Sequence, residues 1–194
     1  MKIGVLALQG AFATHVAVLR ALGAEAREVR VPTDLDGVDA LVLPGGESTT
    51  MSLLLDSSGL RAPIADGLAE GLPALGTCAG MILLASNVLD GRDDQHSFGE
   101  IDIDVRRNAF GRQVDSFESD LDVDGIDGGP FHAVFIRAPW VQQVGPAATA
   151  LGTTDDGHVV AVRQGPLLAT SFHPEMTGDG RIHAYFCRMV AGEI

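Results

Sequence analysis

Cysteine and long apolar runs are scarce in this chain, and each shortage excludes a class of protein. The two cysteines, Cys78 and Cys187, are too few for a disulfide framework or a structural zinc site, so we expect a reducing compartment. No uninterrupted apolar run approaches the roughly 20 residues that a membrane-spanning helix needs. The apolar run near the N-terminus leads into a glycine and lacks the small-residue cleavage site of a signal peptide, which predicts a cytoplasmic protein.

Positive charge is scarce as well, since 13 basic residues face 26 acidic ones and Lys2 is the only lysine. A formal net charge of -13 repels nucleic acid and anionic membranes, so we expect neither as a partner. A length of 194 residues suffices for one well-buried core and is short for two. Residues 1–194 are therefore predicted to form a single domain.

Strand patterns alternate with helical patterns through the first half of the chain, which is typical of a parallel sheet covered on both faces. Ser48 would cap the second of these helices. The prediction is an α/β fold: a three-layer, flavodoxin-like, mostly parallel sheet flanked by helices. The predicted strands cover 2–8, 26–31, 39–44 and 73–77, and the predicted helices cover 12–22, 48–59 and 61–70.

The pattern changes after residue 100 to alternating strands separated by turn signals. These strands should add antiparallel members to the same sheet or form a small sheet beside it. An amphipathic helix is predicted to close the chain at 181–191, and the stretch 86–100 has the strongest loop character. The additional strands are expected at 100–105, 132–138, 158–164 and 167–173.

Cys78 lies directly between a predicted strand and a predicted helix, in the pattern Gly76-Thr77-Cys78-Ala79-Gly80. This is the cysteine version of the G-x-S-x-G nucleophile elbow, whose flanking positions must be small because strand and helix approach closely there. A helix N-terminus also stabilises a thiolate, and the N–H of Ala79 would face an oxyanion on a substrate carbonyl. We therefore interpret Cys78 as a nucleophile and Cys187 as a core residue.

A nucleophilic cysteine needs a base, and the base needs a group that orients its ring. Of the six histidines, His173 alone stands at a strand end followed by proline and a carboxylate, Glu175. His15 and His183 fall on predicted helices and are assigned to packing or to solvent. The remaining three, His96, His132 and His158, lie in or next to loops without an evident partner. Cys78, His173 and Glu175 are thus predicted to form a triad.

A second glycine signal, "LPGGEST" at 43–49, follows the third predicted strand. Alone it predicts a tight turn capped by Ser48. A phosphate-binding loop is disfavoured, because both its lysine and the G-x-G-x-x-G spacing are missing. Next to a thiol at the neighbouring strand end, however, the Gly46 N–H becomes a candidate second oxyanion donor.

The three motifs "PGGEST", "GTCAG" and "SFHPE" together resemble the triad (class I) glutamine amidotransferases. The blocks "RRNAFGRQVDSFE" at 106–118 and "FIRAP" at 135–139 resemble the branch that serves pyridoxal 5'-phosphate synthase as its glutaminase. The N-terminal "IGVLALQG" and the stretch from 171 to 186 match the same branch, so the resemblance covers nearly the whole chain.

The resemblance implies hydrolysis of L-glutamine through a γ-glutamyl thioester on Cys78, with His173 as general base and acid, oriented by Glu175. Carried over by position, Gly46, Glu47 and Ser48 would contact glutamine, with Arg107, Ile136 and Arg137 completing the site. The implied partner is a (β/α)8-barrel synthase subunit in a large hetero-oligomer, which receives the ammonia to make vitamin B6. No metal and no cofactor is implied for this chain.

Three alternatives remain open at this stage. A glutaminase of another pathway, such as histidine biosynthesis, would share the triad, but the block at 106–118 argues against it. A non-catalytic interaction module would be expected to lack one of the triad residues. A stand-alone cysteine hydrolase would leave "SFHPE" unexplained.

Overall fold

The computed structural model of the chain describes residues 1–107 and 116–194. Residues 108–115, which make up most of the block at 106–118, therefore lie outside the described residues. The α-helices are α1 Phe12–Ala21, α2 Ser48–Ser57, α3 Arg61–Ala69, α4 Ala79–Leu84 and α5 Arg181–Val190, with short 3-10 helices at Pro32–Leu35 and Pro174–Met176. The strands are β1 Lys2–Leu6, β2 Glu25–Val29, β3 Ala40–Leu43, β4 Ala74–Thr77, β5 Ala85–Val88, β6 Ile101–Arg106, β7 Ser116–Leu121, β8 Phe131–Ile136, β9 Trp140–Val144, β10 Thr149–Thr153, β11 Val159–Gln164 and β12 Leu167–Thr170.

A large sheet runs through the molecule in the order β2-β1-β3-β4-β12-β11-β9-β6-β5, with β10 paired to β11. The part from β2 to β12 is parallel, and β11 and β9 continue it with antiparallel pairing. A separate antiparallel pair is formed by β7 and β8. The predicted α/β class, with added antiparallel strands both in the main sheet and beside it, is confirmed.

Helices cover both faces of the sheet because each face carries its own apolar cluster. On one face, α1, α5 and the β7–β8 pair enclose a cluster around Leu19, Phe135 and Phe186. On the other face, α2, α3 and α4 enclose a cluster around Leu43, Leu55 and Leu83. These layers fix the carboxyl ends of the parallel strands, where the glycine, cysteine and histidine motifs singled out from the sequence lie.

Three local expectations differ from the structure. The stretch 86–100 is not entirely loop, because its first residues continue β5. Strand β12 is antiparallel to β11 but parallel to β4, and so joins the parallel part of the sheet. The N-cap of α2 is Glu47 and not Ser48, because the longer carboxylate accepts hydrogen bonds from the backbone of Thr49 and Thr50. Within the described ranges, no helix has the length and apolar character needed to cross a membrane.

Candidate active site

Three neighbouring parallel strands end at one edge of the sheet and bring three sequence motifs together. Strand β4 lies between β3 and β12, with Gly76 opposite Leu43 on one side and Ala169 on the other. The residues after these strands are therefore neighbours, and the Cys78 N–H donates to the Thr170 carbonyl at 2.8 Å. This edge is where open α/β sheets place their ligand sites.

The turn at Cys78 has the geometry of a strained elbow. Cys78 has φ of 50°, in the left-handed region that non-glycine residues seldom occupy, and it directly precedes α4. A Cβ at Gly76 would lie 2.6 Å from the Gly80 carbonyl, and a Cβ at Gly80 would overlap the Leu43 carbonyl oxygen. The two glycines thus let α4 pack directly on the sheet, as predicted.

His173 is held on two sides. Its backbone N–H donates to the Val134 carbonyl at 2.8 Å, and its ring Nδ1 lies 2.8 Å from Oε1 of Glu175. Glu175 follows Pro174 into a short 3-10 helix, which turns the carboxylate back towards the imidazole. Both side chains are buried, so the pairing takes place in a low-dielectric setting.

Opposing effects act on the pKa values of His173 and Glu175. Burial acts to lower the pKa of His173, but hydrogen bonds and charge interactions with Cys78 and Glu175 outweigh it and raise the pKa to about 10. Burial acts to raise the pKa of Glu175, but the hydrogen bond from His173 and the charge interactions with His15 and His173 together outweigh it, so this pKa is lowered. The arrangement therefore favours an imidazolium between a carboxylate and the cysteine sulfur.

A cavity of about 220 Å³ opens above the cysteine. It is smaller than the roughly 300–1,000 Å³ typical of pockets for drug-sized ligands, which suits a ligand as small as an amino acid. The Cys78 sulfur lies 3.8 Å from the Ile136 carbonyl oxygen on its wall. The cavity brings together the predicted site residues other than Glu175 and adds Ile82; its lining is Gly46, Glu47, Ser48, Cys78, Ala79, Ile82, Arg107, Ile136, Arg137 and His173.

The two predicted arginines differ in what they contact. Arg107 donates to Oγ1 of Thr49 at 3.1 Å and to Oε1 of Gln95 at 2.5 Å, and its guanidinium lies 3.4 Å from the Glu47 carboxylate. Arg137 has φ of 44°, is exposed, and makes no ion pair with the described residues. Arg137 is thus the arginine whose guanidinium is available to a bound anion.

The backbone around the cysteine offers hydrogen-bond donors. Ala79 is the first residue of α4, and the first N–H groups of a helix have no partner within it. On the adjacent turn, Gly45 packs so closely on His173 that a Cβ there would overlap the imidazole ring at Cε1. Gly46 lines the cavity, as the position of the glycine motif predicts.

Sequence reasoning missed three polar groups at or behind this site. His15 and His183 are fully buried, which confirms packing over exposure to solvent, but their contacts were not predicted: His15 lies beside Glu175, and His183 pairs with His15. Gln95 joins Arg107. Among the loop histidines, His132 lies between Glu118 and Asp120, and His158 stacks on Trp140. Nothing in the spacing of these residues signals the contacts, because each contact joins two different segments of the chain. The described residues contain no group of three or more His, Cys, Asp or Glu side chains placed to hold a metal ion.

Comparison with known proteins gives consistent matches over nearly the whole chain. The sequence model described as SNO glutamine amidotransferase family matches residues 5–192. The pyridoxal 5'-phosphate synthase subunit PdxT of Salinispora arenicola is 61% identical over 196 residues, covering 99% of this chain and 98% of that protein. The protein of the same name from Mycobacteroides abscessus is 60% identical over 188 residues, covering 97% and 96%.

Solved structures agree with these sequence matches. A crystal structure of a glutamine amidotransferase has a TM-score of 0.91 and 47% identity, covering 97% of this chain and 98% of that one. A putative GMP synthase subunit from Thermoplasma acidophilum has a TM-score of 0.69 at 20% identity, covers 100% of this chain and 95% of that one, and shares the fold.

Proposed function

Because the chain belongs to the SNO glutamine amidotransferase family, we propose that it is the glutaminase subunit of a pyridoxal 5'-phosphate synthase. It hydrolyses L-glutamine to L-glutamate and ammonia and passes the ammonia to a synthase subunit. The observation that carries this proposal is the placement of Cys78 and His173, backed by Glu175, along one wall of an amino-acid-sized cavity. The relatives at 60–61% identity bear the name of that synthase's subunit.

Substrate binding places the glutamine side chain towards Cys78 and its charged end towards the cavity opening. The exposed guanidinium of Arg137 is suited to the α-carboxylate, because a planar guanidinium binds carboxylates with two parallel hydrogen bonds. Glu47 and Ser48, together with the backbone of Gly46 and Ile136, line the remaining wall. Arg107 supports this wall through its contacts with Glu47 and Gln95.

Acylation starts from the thiolate of Cys78 and the imidazolium of His173. The sulfur attacks the side-chain amide carbon, and the carbonyl oxygen becomes an oxyanion that accepts hydrogen bonds from the N–H groups of Ala79 and Gly46. The carbon–nitrogen bond then breaks while His173 gives its proton to the departing nitrogen. The products are a γ-glutamyl thioester and ammonia.

Hydrolysis of the thioester uses the same histidine in the opposite direction. Acylation removes the thiolate charge, which is one of the interactions that raise the pKa of His173, so the neutral imidazole can now act as a base. It takes a proton from water as the water oxygen attacks the thioester carbon. The carbon–sulfur bond breaks, glutamate leaves, and the thiolate and imidazolium are restored.

Ammonia released into water would be protonated and diluted, which explains the need for a partner. The partner we propose is a (β/α)8-barrel synthase in a large hetero-oligomer that uses the ammonia to make pyridoxal 5'-phosphate. Docking could complete the oxyanion hole by turning the Gly45–Gly46 peptide, since glycines reorient at low cost. We further propose a cytoplasmic location, where the thiol of Cys78 stays reduced, and a single glutaminase domain over residues 1–194.

The test is glutamate release from L-glutamine by the purified chain, measured with and without a cognate synthase subunit. We expect activity that rises on adding the synthase and falls by at least about 10³-fold in Cys78→Ala. The matched control is Cys187→Ala, which removes the other thiol on α5. A folded, synthase-binding chain that releases no glutamate would overturn the proposed function.

A further inference from the structure

A line of buried polar side chains continues behind the triad, on the side away from the cavity. Oε1 of Glu175 pairs with His173, whereas Oε2 points the other way, 3.3 Å from Nε2 of His15. The other ring nitrogen of His15, Nδ1, lies 2.9 Å from Nε2 of His183. All of these side chains are buried, and both His15 and His183 are fully inaccessible.

The three segments that supply this line are distant in sequence. His15 lies on α1, Glu175 on the 3-10 helix after β12, and His183 on α5. Both helices pack on the same face of the sheet, behind the strand ends that form the site. An apolar residue at either histidine position would fit this environment at lower desolvation cost, so the polar pair needs a reason.

One pair of tautomers satisfies the arrangement. If His15 carries its proton on Nε2, this N–H lies near both Oε2 of Glu175 and the Thr77 hydroxyl, each 3.3 Å from Nε2, and the bare Nδ1 accepts a hydrogen bond from the Nε2–H of His183. The opposite tautomers would turn a nitrogen lone pair towards the carboxylate. They would also leave a buried N–H on Nδ1 of His183, which has no partner among the described residues.

The contact between His15 and Glu175 stabilises the negative charge of the carboxylate. Oε2 of Glu175 accepts no well-aligned hydrogen bond from the described part of the chain, so its negative charge depends on nearby dipoles. His15 supplies such a dipole, and the Thr77 hydroxyl contacts the same ring nitrogen at 3.3 Å. Burial is the main cause that lowers the pKa of His15 and takes that of His183 to about 3, so both rings are neutral donors at neutral pH.

We propose that His15, held in one tautomer by His183, is a positioning residue that orients and stabilises the Glu175 carboxylate and, through it, the His173 imidazolium. This inference rests on the proposed glutaminase function and deepens it. The titratable groups that face His15 are Glu175, His173 and His183. The line thus extends the triad to five side chains from four segments of the chain.

The first test compares His15→Leu with the conservative variant His15→Gln, which keeps an N–H donor near the position of Nε2. In the complex with the synthase, His15→Leu should lower kcat by about 10- to 100-fold, the range known for second-layer partners of functional groups. KM should change by less than about threefold, because the substrate side is untouched. His15→Gln should regain most of the lost kcat. Leu19→Val, a buried change on the same helix, is the control for lost stability.

A second readout follows the thiolate without glutamine turnover. In a Cys187→Ser background, the pH dependence of Cys78 alkylation by iodoacetamide reports on the pairing with His173. In His15→Leu the midpoint should move up by about one pH unit, a tenfold change, because the imidazolium is less stable. In Leu19→Val it should not move. His183→Leu should shift it in the same direction by a smaller amount.

The tautomers are tested directly by ¹⁵N–¹H spectra of the imidazole rings, assigned with His15→Gln and His183→Gln. Both rings should carry their proton on Nε2 and be neutral at pH 7. A positively charged ring or a proton on Nδ1 of His15 would contradict the proposal. An unchanged kcat and alkylation profile in His15→Leu would also overturn it, as would equal losses in Leu19→Val. Absence of glutaminase activity in the wild-type complex would instead refute the proposed function, while the alkylation and tautomer results still decide this inference.

Discussion

The floor and the rim of the cavity are built in different ways. We call floor the buried group of Cys78, His173 and Glu175 with the glycines that pack against them, Gly45, Gly76 and Gly80. We call rim the more exposed side chains of Glu47, Gln95, Arg107 and Arg137. On the floor, positions are fixed by close packing and buried hydrogen bonds. On the rim they depend on ion pairs and caps that solvent screens.

This difference predicts which parts of the site tolerate substitutions. Core packing leaves no room for even one added carbon, so a floor substitution must move backbone or a reacting group. A rim substitution loses an interaction that water partly replaces. We therefore expect the effects of substitution to decrease from floor to rim, and a different order would contradict this contrast between the two regions.

The largest effect is expected at Gly80, on the floor. In Gly80→Ala the new Cβ would overlap the Leu43 carbonyl oxygen, so α4 must move away from β3. We expect a loss of about 3 kcal/mol in the free energy of unfolding, the upper end of the usual cost of an overpacked core, measured by urea denaturation. The matched control is Gly67→Ala in α3, where only the flexible Leu72 side chain is near and alanine favours the helix. Equal stability of the two variants would show that the elbow is not sterically fixed.

The next effect separates chemistry from stability. In Gly45→Ala the added carbon would meet the His173 ring, with the ring Nδ1 only 3.0 Å away. The ring can turn aside, so the fold should survive while the alignment with Cys78 is lost. We expect kcat to fall by about 10²-fold, the cost of a displacement of about 1 Å, with little change in melting temperature. A fall in stability with normal kcat per folded molecule would contradict this expectation.

Acid should weaken the buried histidine pair behind the floor, His15 and His183. The pKa of His183 is lowered to about 3 by burial and by His15, against the opposing effect of Glu175, while the unfolded chain has the ordinary value of 6.5. Between pH 6.5 and 3 the unfolded state therefore binds more protons, so stability falls as the pH falls. The loss approaches about 1.4 kcal/mol per pH unit for one such group.

The measurement is urea denaturation at pH 6.5 and pH 5. His183 should contribute about 1–2 kcal/mol to the loss in the wild-type chain, and His15, whose pKa is also lowered, adds to it in the same direction. His183→Gln should lose less, because glutamine does not titrate. Glu175 does not confuse the comparison, since its pKa is lowered from 4.5 and its contribution is lost only below that pH. The same slope in both chains would mean that His183 is not held neutral.

Much of this floor can be predicted from sequence, for an identifiable reason. Gly76, Cys78 and Gly80 carry a local steric demand, and His173 and Glu175 are two residues apart, so both signals lie within five residues. The parallel strands β1 to β4 likewise follow from local periodicity. Contacts between side chains that lie far apart in the sequence cannot be predicted from such local signals. His15 and His183 are 168 residues apart, and Arg107 and Glu47 are 60 residues apart.

The N-cap of α2 shows the same limit at short range. A serine before a helical pattern favours a cap at Ser48, but the structure uses the preceding carboxylate. Glu47 is seldom chosen as a cap because its side chain is long, but here its two carboxylate oxygens accept hydrogen bonds from the backbone N–H groups of Thr49 and Thr50. The choice between two adjacent residues thus depended on the conformation of one side chain, which the local sequence does not reveal.

The smallest effect is expected at this cap, on the rim. Glu47 accepts hydrogen bonds from the Thr49 and Thr50 backbone at 3.2 and 2.7 Å and from the Thr50 hydroxyl. Burial acts to raise its pKa, but these hydrogen bonds outweigh it and lower the pKa, so the carboxylate is charged at neutral pH. The Arg107 pair adds little, because Glu47 is 41% exposed and its distance to Arg107 is 3.4 Å.

Glu47→Ala should therefore lower the free energy of unfolding by about 1 kcal/mol, the usual value of a lost cap. Ser48→Ala should cost less, since α2 is capped by the Glu47 side chain. Both are measured by urea denaturation at pH 7, with Ser57→Ala near the far end of α2 as reference. If Ser48→Ala costs more than Glu47→Ala, the serine cap predicted from sequence is correct in solution. If Glu47→Ala costs as much as Gly80→Ala, the rim is as rigid as the floor, and the contrast between them fails.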